Sequence, residues 1–371
     1  METNMRKISR LGWMLGAALM TCGLSANAAD QWGLAQGKVE LKSAGPLAFG
    51  PDGILLVGDT QAATVVAVAT DDHKGEPAKT NINIEKLNEQ VAGLLNTKAD
   101  VKIADMVVNP QSGNVYLSVS AGDQVALVRI DAKGALSKLD LNNARSSKVA
   151  LPNPPEDKVV GEGPRKANRR AESITDLAYV EGKVIVSGLT SGASPSAVRE
   201  IVFPFKDADQ GTPIEIYHGA HGKLEDYAVV RTFVPFTIGG EPSLLAGFTC
   251  TPLVKFPLSS IEKGQKTRGT TVAELGNRNR PLDMIVYKKD GKDFLLMANS
   301  ARGVMKISTE NIQRPDGITA PVTGGGLAGQ AYETVAAWQG VVQLDKLNDT
   351  HAVVLMQAEG GAVSLKTVAL P

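Results

Sequence analysis

From residue 46 onward, apolar and polar positions alternate in a recurring unit of three short apolar runs separated by turns. The first unit reads "PLAFGPDG", "ILLVGDTQ" and "ATVVAVAT", with Pro51-Asp52-Gly53 suited by its dihedral preferences to a tight turn. The order returns in "ADMVVNPQSG", "NVYLSVSAGD", "VALVRIDAKG", then from "TDLAYVEG", "RTFVPFTIGG", "PLDMIVYKKDG" and "VVQLDKLND". A fourth apolar segment lies between units: "KTNINI", "LSKLDLNN", "TPIEIYHG", "TTVAELGN" and "YETVAAW". The sixth unit runs out of chain after "AVSLKTVAL". One unassigned strand, "GKVELKSAG", precedes the first unit.

Six four-stranded units with that orphan strand predict an all-β fold, a six-bladed β-propeller in which the N-terminal strand completes the last blade. Closure of this kind leaves no long edge to pair with another molecule. Two β-sandwiches would also give short strands with regular turns, but would leave the orphan strand and the repeated hairpin phase as coincidences. Units recur roughly every 50 to 70 residues, more than the usual 40 to 50, so some blades carry insertions. "IEKLNEQVAGLLNTKAD" places Leu87, Val91, Leu94 and Leu95 at helical spacing and predicts a short helix on one face of the ring. Residues 150–173, rich in Pro, Gly and charge, predict an exposed loop. "PLAFGPDGILLVGDT" and "ADMVVNPQSGNVYLSVS" resemble the inner hairpins of NHL-repeat, YVTN-type and regucalcin/gluconolactonase-type propellers. The last of these resemblances implies lactone hydrolysis with one divalent cation held by acids and Asn in the central channel.

Arg6, Lys7 and Arg10, the apolar run "LGWMLGAALM" and the small-residue pattern Ala26-Asn27-Ala28 predict that residues 1–28 are a cleaved secretory signal. The apolar run is too short for a membrane anchor. Residues 29–371 are then one domain, periplasmic or secreted. Lipoprotein attachment through Cys22 ranks second, because Thr21 is bulkier than the small residue usual there. The chain holds 39 Lys+Arg and 39 Asp+Glu; loss of the signal leaves about −2, which gives no electrostatic reason to expect nucleic acid. An unidentified protein or a small molecule is the expected partner. Cys250 would remain as the single cysteine, so no intramolecular disulfide is possible. Burial would make it inert; exposure beside a histidine would make it a nucleophile or soft ligand.

Connectivity brings the turns between second and third strands and the between-blade connections to one face, where rigidly mounted loops usually bind. Three inner strands begin with a matching acid, Asp105, Asp176 and Asp283, with Pro46, Thr232 and Val341 at the equivalent places. Converging carboxylates need a cation or arginine, and oxygen ligands suit Ca²⁺ or Mg²⁺. A repeated Asp at a strand start also ties backbone N–H groups, and that structural role is the alternative. Asp59, Cys250, Asn299 and Arg280 belong to the same face, as do His218 and His221, which with Glu225 and Asp226 offer nitrogen and oxygen donors for Zn²⁺ or Cu²⁺. No Gly-x-Ser-x-Gly elbow and no Cys-x-x-Cys-His haem motif occurs. The two leading readings are thus a binding module on the insertion-rich face and a divalent-metal lactonase or esterase.

Overall fold

The computed structural model describes residues 31–163, 166–261 and 265–371. The expected signal and Cys22 lie outside these residues. No described helix is long and apolar enough to cross a membrane.

Each of the six units folds as predicted into an antiparallel hairpin plus a third strand. In the first, Leu47–Phe49, Ile54–Asp59 and Thr64–Ala69 pair in sequence; in the second, Val101–Val108, Val115–Ala121 and Gln124–Ile130 do so. Ile54 to Asp59 are buried at every position, because a strand between two neighbours and two packed faces meets protein on both sides. Six apolar clusters fill the spaces between adjacent sheets. Inner strands of successive sheets pack around a central channel. The chain is a six-bladed β-propeller.

The blades do not follow chain order around the ring. The cluster around Val65 and Val186 joins blade one to blade three, and that around Val57 and Tyr116 joins blade one to blade two. The cluster around Val119 and Val353 joins blade two to blade six. The spatial order is therefore two, one, three, four, five, six. Blade two is inserted between the third and fourth strands of blade one, whose fourth strand is Ala144–Ala150, paired with Thr64–Ala69.

This arrangement corrects the expected closure. The fourth strand of blade six is Asn83–Ile84, from the "KTNINI" segment, with Ile84 opposite Leu365 and Asn83 opposite Lys366. Of the N-terminal segment, Ala35–Gly37 instead extends blade one beyond Ala144–Ala150, and Val39 donates its N–H to the Leu141 carbonyl. The reason is geometric: the outer strand of one propeller blade leads into the inner strand of the next, and blade six adjoins blade two. Residues 83–84 can reach blade two only through the helix Leu87–Leu94, which buries Leu87 and Val91 against both blades. The expected loop at 150–173 contains a small hairpin, Val159–Val160 with Ala167–Asn168, exposed on all four residues.

Candidate functional site at the channel mouth

The inner strands of blades two, four, five and six each carry a register shift near their start, between Ile103 and Asp105, Val230 and Thr232, Pro281 and Asp283, and Val341 and Gln343. A bulge adds a residue on one strand and re-aims the side chains beyond it. The equivalent of Asp105 and Asp283 in blade six is therefore Gln343, and not Val341 as the spacing suggests. Asp105, Asp176, Thr232, Asp283 and Gln343 line one cavity of about 480 Å³, and Asp345 joins them two residues further along its strand.

The acids join neighbouring blades. Asp105 Oδ2 accepts the N–H of Leu47 in blade one at 2.7 Å, and Asp176 Oδ2 that of Phe233 in blade four at 2.7 Å. Asp283 Oδ2 accepts from Leu344 in blade six at 2.8 Å, and Asp345 Oδ2 from Val108 in blade two at 2.7 Å. The second oxygens of Asp176, Asp283 and Asp345 take the N–H of the following residue in their own strand. Every link runs from one blade to its spatial successor, in agreement with the ring order set by the apolar clusters. With its amide oriented by its surroundings to donate, Gln343 spans Asp283 Oδ2 at 2.8 Å and Asp105 Oδ1 at 2.9 Å.

These carboxyls are short of water and close to one another. Burial, with the charges of Asp176 and Asp345, holds Asp105 well above the usual carboxylate range, against the N–H groups of Leu47 and Met106. Burial and the charge of Asp105 do the same to Asp283. Burial alone pushes Asp176 up to about 7, against the N–H groups of Phe233 and Leu177 and the Thr232 side chain, and Asp345 up to about 6, against the N–H groups of Val108 and Lys346. Although each side chain touches the channel, it sits deep within the ring, and lost solvation outweighs the bonds.

Cationic groups stand at the mouth. Arg231 donates to Glu172 Oε1 and to Thr249 Oγ1, each at 3.0 Å. Arg280 also lines the cavity, and among the described residues its guanidinium has no hydrogen-bond or ion-pair partner. Partial burial, then the charge of Arg231, lowers its pKa, while Glu172 opposes them. Glu172 comes from the 150–173 insertion, so a between-blade connection does contribute to this face.

The other candidates divide. Asp59 is buried and caps backbone, accepting the N–H groups of Lys42, Ser43 and Ala62. Asn299 is buried and donates to Asn279 Oδ1 at 2.8 Å. Cys250 is half-buried in the turn between two strands of blade four, at φ 63°, with its N–H on the Asn279 carbonyl. His218 and His221 lie on a hairpin at the outer rim of blade three, outside the cavity lining. Asp226 is turned away from them, held by Ser194 Oγ and Lys266 Nζ. Sequence reasoning missed Asp345, Gln343 and Arg231. Asp345 had a signal, an acid within an inner-strand pattern, but it stands two residues beyond the position that Asp105 and Asp283 occupy in their strands.

No family model matches the chain, and no curated relative matches it. Among solved structures it is similar to a putative oxidoreductase (glucose dehydrogenase) of Thermus thermophilus, at 13% identity over 91% of this chain and 100% of that one, with a TM-score of 0.34. It is similar to the PQQ-bound aldose sugar dehydrogenase of Streptomyces coelicolor, at 11% identity over 90% and 97%, TM-score 0.31. It is also similar to Raptor of Chaetomium thermophilum, at 10% identity over 91% of this chain and 29% of that one, TM-score 0.39. Likeness at these values concerns the fold alone.

Proposed function

We propose that this chain is an exported ligand-binding β-propeller whose site is the channel mouth, and that its ligand is a small polar molecule carrying a carboxylate. The observation that carries the reading is Arg280, an exposed guanidinium with no hydrogen-bond or ion-pair partner among the described residues, at the rim of a cavity of about 480 Å³ and beside a second arginine already paired to Glu172. Paired, charge-assisted hydrogen bonds make arginine the natural receptor for carboxylate. Deeper in, the ring of acids and Gln343 offers hydrogen-bonding groups to hydroxyl or amino substituents of the same ligand. The N-terminal basic, apolar and small-residue regions support export; N-terminal sequencing of the native protein that began at Met1 would count against it.

The test is a thermal-shift and calorimetric screen of sugar acids, amino acids and dicarboxylates against the wild type and Arg280→Gln. At least one compound is expected to bind the wild type and to lose roughly 10-fold or more in affinity in the variant. Binding unchanged in Arg280→Gln, or no binder in any of the three classes, would overturn the reading.

One observation favours a divalent-metal hydrolase instead: Asp105 and Asp283 converge on the Gln343 amide, where Ca²⁺ or Mg²⁺ would find oxygen donors. Against it, Oδ2 of both acids already holds a backbone N–H. Elemental analysis of the mature protein and of Asp283→Asn decides: no calcium or magnesium in the wild type, or equal content in both, removes this alternative.

A further inference from the structure

Away from the channel, the fourth strand of blade three, Thr212–His218, runs past the third strand and turns back into Lys223–Glu225, with Ile216 opposite Glu225 and His218 opposite Lys223. The turn between them, Gly219-Ala220-His221-Gly222, is closed by the N–H of His221 on the His218 carbonyl and tolerates its tightness through Gly222 at φ 65°. Beneath it lies Glu274, from the fourth strand of blade four, whose Oε1 accepts the Gly219 N–H at 2.5 Å. The Val322 N–H closes the turn from a third side, on the Gly219 carbonyl. Three separate chain segments thus converge on one four-residue turn.

His218, Glu225 and Glu274 are 2%, 4% and 1% exposed, and His221 lies at the surface. One donor atom from each of His218, His221 and Glu225 falls within 4.8 Å of the others. Nδ1 of His218 is 3.0 Å from Glu225 Oε2, Nδ1 of His221 is 2.7 Å from Glu225 Oε1, and the two rings lie 3.8 Å apart between centroids. Two further atoms are buried without a hydrogen-bond partner among the described residues, His218 Nε2 and Glu274 Oε2. A buried imidazole nitrogen and carboxylate oxygen left unpaired lose their hydration with nothing in return. The unpaired Glu274 Oε2 at this turn calls for a positive centre; His218 Nε2 lies on the ring edge away from Nδ1 and faces outward from an ion held at Nδ1.

We propose that His218, His221 and Glu225, with Glu274 beside them, form a Zn²⁺ site on the outer rim of the ring. Two imidazoles and carboxylate oxygen are the donor set of four-coordinate zinc, and two carboxylates balance its charge. Ca²⁺ and Mg²⁺ require more oxygens than the turn supplies. Tetrahedral zinc bonds of about 2.0–2.1 Å set donor atoms about 3.3 Å apart, so the two Glu225 oxygens would have to open by about 0.3 Å from His218 Nδ1 and about 0.6 Å from His221 Nδ1. The Tyr227 hydroxyl, 3.2 Å from Glu225 Oε1, and the Lys223 ammonium, 4.0 Å from it, remain as outer contacts that orient this carboxylate. The ion would clip the blade-three hairpin to the fourth strand of blade four while His221 keeps it within reach of solvent.

The test uses the mature, untagged chain, titrated with Zn²⁺ against a chromophoric chelator, with Co²⁺ as a spectroscopic substitute. One Zn²⁺ per chain is expected, with the strong visible absorption of four-coordinate cobalt. His221→Gln changes an exposed turn residue and should fold normally, yet weaken Zn²⁺ binding at least about 10-fold and quench the cobalt bands. Glu274→Gln is expected to weaken binding in the same direction, and His73→Gln, elsewhere on the surface, to leave it unchanged. Failure of the wild type to take up Zn²⁺, or equal uptake in wild type and His221→Gln, would overturn the proposal. The measurement is independent of Arg280 and the channel.

Discussion

Replacing Asp176 by alanine removes the acceptor for two N–H groups, Leu177 at 2.8 Å and Phe233 at 2.7 Å, the latter on a residue only 5% exposed. Leaving each of these without a partner costs about 1–3 kcal/mol, so the variant should lose about 2–6 kcal/mol of stability. That cost should depend on pH, with a sign that burial dictates. Burial pushes the Asp176 carboxyl from 3.8 up to about 7. An acid raised in the folded state binds its proton more tightly there than in the unfolded chain. Its contribution is therefore present in full below pH about 4 and declines as pH rises towards 7. At 1.36 kcal/mol per pH unit the limit is about 4 kcal/mol, and channel water should reduce it to on the order of 2 kcal/mol. Urea unfolding of the wild type and Asp176→Ala at pH 5, 6.5 and 8, with m-values compared, measures it. The difference between the two proteins cancels acids common to both. The variant should cost on the order of 1–2 kcal/mol more at pH 5 than at pH 8. An equal cost at every pH, or a larger one at pH 8, would show that the two N–H bonds outweigh burial and that the ring acid is ionised throughout.

Ile84→Ala should destabilise the fold by about 2–4 kcal/mol, because Ile84 is buried in the strand that completes blade six; a cost below about 0.5 kcal/mol in urea unfolding would contradict that closure. Asp72 is buried and accepts from Ser112 Oγ and the Tyr116 hydroxyl at 2.8 Å and from Asn114 Nδ2 at 3.0 Å, tying the segment after blade one's third strand to a turn of blade two. Although burial opposes it, these hydrogen bonds lower its pKa, so its contribution holds above the ordinary carboxylate pKa and is lost as pH falls through the lowered value. Asp72→Ala should cost about 2–4 kcal/mol at pH 7, and differential unfolding that shrank between pH 5 and 8 instead of below pH 4 would reverse this assignment.

What the sequence determined by itself was local. Alternation of period two, turn residues such as Pro51-Asp52-Gly53 and the helical spacing of Leu87 and Val91 specified the hairpins, their number and the helix, since each depends on residues a few positions apart. The placement of Asp105, Asp176 and Asp283 at matching inner-strand positions was legible for the same reason. Which blade a fourth strand joins was not. Asn83–Ile84 presents two residues to Leu365 and Lys366 from the far end of the chain, and any exposed blade edge with a complementary face offers similar local chemistry. Only simultaneous packing of all six sheets selects among those edges, and that selection put blade two beside both blade one and blade six. The same holds for the sites. Gln343 and Asp345 were missed because Val341, which corresponds to Pro281 on the near side of the shared bulge, was aligned with Asp283 on its far side. Glu274 came to lie under the histidine turn, and Asp226 turned away from it, because blades three and four meet there: proximity in the folded ring, rather than along the chain, decides which buried charges face one another.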